Sequence, residues 1–125
     1  MANTIKVTAS LECIPASGTY GKLPKHGGEQ TISQATAGVS CPQLVTSTTS
    51  AAITFPGLTA PRWVRFENID TTNNIQIGPY VAATFHPMAE LKPGESFPCP
   101  IWPTVVLHAK ATAGTPKLNC QGLET

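Results

Sequence analysis

RWVRFENIDTTNNIQI, residues 62–77, is the stretch whose reading decides the fold. Val64 and Phe66 alternate with Trp63, Arg65 and Glu67, the period of two of a strand with one face buried and the other wet. Asn74-Ile75-Gln76-Ile77 repeats the alternation in short form. Between the two runs, Asp70-Thr71-Thr72-Asn73 reads as a turn, because Asp and Asn side chains bond nearby backbone groups and tolerate left-handed geometry. Two β-rich runs about such a turn predict a β-hairpin.

Toward the N-terminus, residues 4–14 alternate over a longer run. Ile5, Val7, Ala9, Leu11 and Cys13 share one face, Lys6, Thr8, Ser10 and Glu12 the other, and Pro15 ends the strand. Residues 16–28 are rich in Gly, Lys and Pro, with His26-Gly27-Gly28 as a loop tip. Residues 1–28 therefore read as an N-terminal arm plus a mobile loop. Residues 29–37 form a weaker strand, and Gly38 and Pro42 mark a break. Residues 44–55 have strand composition with a turn near Thr49.

Toward the C-terminus, Gly78-Pro79 closes the first hairpin, and Tyr80 falls in a connecting segment. Lys92-Pro93-Gly94-Glu95 specifies a type II turn, with Pro at i+1 and Gly at i+2. Pro98, Pro100 and Pro103 punctuate FPCPIWP; proline cannot donate to a ladder, so this piece is an edge or an extended arm. Residues 104–111 and 116–121 predict a second hairpin around Thr112-Ala113-Gly114-Thr115. No segment carries the i, i+3, i+4 pattern of a capped helix. The expectation is one all-β domain over residues 1–125: a single antiparallel β-sandwich or jelly-roll-like barrel with an extended N-terminal strand and loops.

Only 12% of residues are Asp, Glu, Lys or Arg, against about 25% in ordinary soluble domains, and the formal net charge is +1. A surface this sparsely charged resists association poorly, which favours one covered in an assembly. The eight basic residues are scattered, so no phosphate-binding patch forms and nucleic acid is not an expected partner. No apolar run reaches the ~20 residues that span a bilayer, and the N-terminus opens polar, so synthesis in a cytoplasm without export and no membrane partner are expected.

The search for chemistry yields little. Cys13, Cys41, Cys99 and Cys120 are widely spaced and form no zinc-ribbon pair; as isolated thiols they read as small buried hydrophobes, with disulfides after release as the alternative. His26, His86 and His108 stand in no metal-binding or catalytic spacing, and Asp70 sits where a turn wants it. No cofactor, no metal and no enzymatic activity are expected. Trp63 and Trp102 are core residues or interface anchors; Tyr20 and Tyr80 suit a contact surface; Arg62 and Arg65 are read as sharing a strand face around Trp63. These six are the interface candidates.

Residues 62–123 also resemble a known type of small virion protein of tailed phages. The resemblance rests on NIDTTNNIQIG at residues 68–78, Phe85-His86-Pro87, Leu91-Lys92-Pro93-Gly94-Glu95 and His108-Ala109-Lys110-Ala111-Thr112-Ala113-Gly114-Thr115. It covers about half the chain and consists mainly of turn chemistry. It implies a β-sandwich or jelly-roll accessory protein of the virion, made in the host cytoplasm. Its implied role is a head decoration or cement protein: a homo-oligomer, a trimer being one such state, bound to the major capsid protein or another virion protein. A tail, neck or baseplate ring component is the alternative, and a carbohydrate-binding β-sandwich is a third reading from a different class.

Overall fold

The computed structural model describes residues 3–11, 26–34 and 38–124. All regular structure among them is strand, in three sheets.

β1 (Asn3–Leu11) and β2 (His26–Gln34) form an antiparallel ribbon, in register from Asn3 opposite Gln34 to Leu11 opposite His26. Among the described residues the ribbon joins neither of the other sheets. Thr4, Lys6 and Thr8 are exposed, as the alternation expects. His26-Gly27-Gly28, read as a loop tip, instead opens β2: its glycines pair with Ser10 and Ala9, where a strand needs only backbone. The rest of the expected mobile loop, residues 12–25, lies outside the described residues.

The main body is a sandwich. β3 (Val39–Ser40), β4 (Gln43–Val45), β6 (Trp63–Asn68), β10 (Ser96–Pro100) and β12 (Lys117–Leu123) make one sheet, ordered β10-β6-β12 with β3 and β4 both along the outer edge of β12. β5 (Ala51–Ala52), β7 (Ile75–Val81), β8 (Thr84–Phe85), β9 (Ala89–Leu91) and β11 (Leu107–Ala111) make the other, ordered β5-β11-β7 with β8 and β9 both along β7. β3 and β4 are one strand interrupted at Cys41-Pro42: they keep the same register on β12, and Cys120 N donates to Pro42 O across the gap at 2.9 Å. Pro42 has no N–H to return the bond. β8 and β9 are likewise one strand carrying a bulge, since Tyr80 faces Phe85 but Ile77 faces Ala89, one residue out of step. The bulged backbone crosses directly over Gly78, where an added Cβ would lie 1.9 Å from His86 O.

Eight strand tracks result, and each track of one sheet stacks on its sequence neighbour in the other: β4 with β5, β6 with β7, β10 with β9, and β12 with β11. That order is a jelly roll. It corrects both hairpins expected from sequence. Residues 69–74 and 112–116 join strands in different sheets, as do 46–50 and the turn at 92–95. Each is an arch that lets the apolar faces it connects meet face to face. The type II geometry at 92–95 is nonetheless present: Gly94 has φ +80° and Glu95 N donates to Lys92 O at 3.0 Å.

The inner faces close one core. Val64, Phe66, Leu118 and Cys120 meet Ile75, Ile77, Leu91, Leu107 and Ala109, and Phe66, Ile75, Ile77 and Leu118 are fully buried. At the arch end stands Asn68, fully buried and fully bonded. Its Nδ2 donates to Asn73 O (2.8 Å) and Leu91 O (2.9 Å), and its Oδ1 accepts from Asp70 N (3.0 Å). Its backbone donates to Glu95 O and accepts from Gly94 N. One residue, through its side chain and its backbone together, thus ties two arches together, and Asn73 packs against Gly114 of a third.

Candidate interaction surface

Register places the outward side chains of the β10-β6-β12 sheet in transverse rows. Val39 faces Leu123, Leu123 faces Trp63, and Trp63 faces Pro100, so four apolar residues lie side by side across neighbouring strands, each about 4.8 Å from the next. Val39 is 63% exposed. Trp102, two residues beyond Pro100 and 71% exposed, extends the row past the sheet edge. The next rows are polar: Gln121 beside Arg65 and Pro98, then Gln43, Asn119, Glu67 and Ser96. Arg65 Nη1 and Glu67 Oε2 pair at 2.9 Å, and Gln43 Nε2 donates to Asn119 Oδ1 at 2.9 Å. Both members of the ion pair are about a third exposed or more, so it orients the row and adds little stability. A shallow groove of about 270 Å³ runs between these rows, with Cys41 on its rim.

Trp63, Arg65 and Trp102 therefore belong to one surface. Arg62 does not share the Arg65 face: it has the parity of Val64 and Phe66, and its Nη1 donates to Ile101 O at 2.7 Å, drawing the guanidinium to the end of the sandwich. Tyr80 lies in β7, not in a connecting segment, on the outer face of the opposite sheet. Its ring stacks on His108, centroids 4.0 Å apart and 6° from parallel. Tyr20 lies outside the described residues. Of the described candidates, Arg62 and Tyr80 thus lie apart from the surface that carries Trp63, Arg65 and Trp102.

A feature the sequence reading did not assign is a cleft of about 360 Å³ at the end opposite the arches, lined among others by Ile53, Phe55, Leu58, Ile101, Val105 and Leu107, with backbone polar atoms exposed between these side chains. Its signal in the sequence was the prolines that shape its rim, Pro56, Pro61 and Pro103, which also read as ordinary loop punctuation.

The reactive groups are muted by their surroundings. Burial pushes the Cys120 thiol up to about 12 and raises Cys99 as well, so neither supplies a thiolate at neutral pH. Cys41 is an exposed free thiol, which corrects its reading as a buried hydrophobe. His108, whose ring stacks on Tyr80, has its Nδ1 buried without a hydrogen-bond partner. Asp70 is held below its ordinary value mainly by the Asn73 backbone N–H, with the Thr72 N–H and the Asn73 side chain adding to it. Among the described residues no three His, Cys, Asp or Glu side chains gather where they could hold a metal ion. No family model, curated protein or solved structure matches this chain.

Proposed function

We propose that the protein is a structural component of a multi-subunit assembly and acts through protein–protein contact without catalysis. The observation that carries this reading is the apolar row of Val39, Leu123, Trp63 and Pro100, continued by the protruding Trp102, on the outer face of a sparsely charged jelly roll. An exposed tryptophan, Trp102, next to the half-buried Trp63 and its apolar neighbours supplies large contact area at small cost in side-chain entropy, and a net charge of +1 leaves little repulsion to oppose association. In its most specific form, supported by the resemblance of residues 62–123, the assembly is a phage virion. The chain is then a head decoration protein that self-associates and binds the capsid lattice. Many copies each burying a modest patch would hold such a shell together by multivalency.

Quantitative mass spectrometry of purified virions tests the reading. About one copy per major capsid subunit, or a simple fraction of that, is expected. A handful of copies per particle would replace decoration with a ring in the neck, tail or baseplate. Absence from particles, together with glycan binding by the isolated protein, would overturn the structural reading in favour of carbohydrate recognition.

A further inference from the structure

We propose that residues 56–61 form a hinged flap over this cleft, latched shut by the carboxylate of Glu124. The segment leaves the sandwich after Phe55, whose ring packs 6.4 Å from that of Phe66, and re-enters at Arg62, whose N–H donates to Leu123 O. Between these anchors its hydrogen bonds to the rest of the described molecule are two, both to one atom. Glu124 Oε1 accepts from Thr59 N at 2.5 Å and Ala60 N at 2.6 Å. The remaining bond, Leu58 N to Phe55 O at 3.1 Å, closes the segment's own turn. Hydrogen bonds to a carboxylate are the stronger kind, so this latch is firm and yet resides in a single side chain.

The two ends of the segment suit a hinge. Gly57 has φ +83°, with open space where a Cβ would stand, and Pro61 fixes the re-entry. Between them Leu58 is the closing surface. It lines the cleft and rests over Gly122 and Gly38, where an added Cβ would fall 2.9 Å and 2.8 Å from its methyl carbons. The latch also has a fixed base, because Glu124 N donates to Gly38 O at 3.2 Å. Swinging the flap out would uncover the cleft floor of Ile53, Ile101, Val105 and Leu107 without breaking a strand pair.

Amide hydrogen exchange on the full chain, read by NMR, tests this. In the unmodified protein, Thr59 and Ala60 are expected to exchange through a local opening insensitive to low urea, while Ile77 and Ala109 exchange only by global unfolding. In Glu124→Ala, exchange at Thr59 and Ala60 is expected to accelerate about tenfold or more and 8-anilinonaphthalene-1-sulfonate fluorescence to rise, with Ile77 and Ala109 unchanged. Glu124→Gln, which keeps an acceptor oxygen, is expected to retain most of the protection. Unchanged exchange at Thr59 and Ala60 in Glu124→Ala would overturn the latch. So would parallel loss at Ile77 and Ala109, or a Glu124→Gln variant as open as Glu124→Ala. Should Glu124→Ala fail to fold, exchange of Thr59 and Ala60 in the unmodified chain that tracks global unfolding would overturn the flap itself.

Discussion

Asn68 carries more of the architecture than its size suggests. In a sequence it is one polar residue at the end of an alternating run, with a parity that places it inside among Val64 and Phe66. Inside, it costs nothing because each polar atom has a partner, and those partners are the backbones of two different arches. Asn68→Ala is expected to lower the unfolding free energy by about 2–4 kcal/mol, since it leaves the buried Leu91 carbonyl and the part-buried Asn73 carbonyl and Asp70 N–H without their partner. Urea denaturation would measure it. Neighbouring Asp70 adds a pH term. Its folded-state carboxyl titrates below its ordinary value of 3.8, so the stability it lends is present above that pH and is lost as the pH falls through the lower folded value. Melting curves of the unmodified protein between pH 5 and pH 2 are expected to fall more steeply than those of Asp70→Asn. The parity of Asn68 was legible from sequence; its role was not, because its partners lie up to 27 residues away in loops whose course depends on topology.

At the scale of elements, strand positions were written in the alternation of large apolar residues, and strand partners were not. The Asp70–Asn73 turn supplies the same local chemistry whether it folds back within one sheet or arches to the other. The choice falls to the two apolar faces it links, which are buried most completely when they oppose each other. The one tight hairpin among the described residues, β7 to β8, was invisible because it turns on Ala82 and Ala83, at φ +49° and +61°, where two-residue turns ordinarily use Asn-Gly. Left-handed backbone costs an L-residue about 1–2 kcal/mol, so Ala82→Asn combined with Ala83→Gly is expected to stabilise the protein by about 1 kcal/mol or more, seen as a rise in Tm. The proline-rich strand was readable as an edge, and the structure gives the reason. Asn68 N donates to Glu95 O and Ile101 N to Arg62 O, so in β10 the N–H groups of Phe97 and Cys99 turn toward β6 while positions 98 and 100 turn outward. Proline at both outward positions leaves that edge with acceptors and few donors, which discourages pairing with another strand. Pro98→Thr combined with Pro100→Thr restores both donors and is expected to increase concentration-dependent association in sedimentation velocity.

For the whole molecule, composition reads as a surface that resists association poorly, and the fold brings Val39, Pro100 and Trp102 to one sheet face and past its edge, while Val81, Met88 and Val106 are exposed elsewhere. That surface could not be assembled from sequence, since Val39, Leu123, Trp63 and Pro100 come from four separate strands and meet only through register. Trp102→Ser is expected to weaken self-association or particle binding at least tenfold while moving Tm little, because a side chain 71% exposed contributes little to the fold. Sedimentation equilibrium alongside a thermal melt would separate the two effects. The bond from Glu124 N to Gly38 O has a mechanical consequence of its own. The chain enters the sandwich at residue 38 and leaves it at residue 124, at a single corner, through the antiparallel pair of Val39 with Leu123 and Ser40 with Gly122. Tension applied between the segments on either side would load those bonds one after another, like a zipper, and not all together in shear. Pulling on residues 38 and 124 is therefore expected to open the body at this seam first.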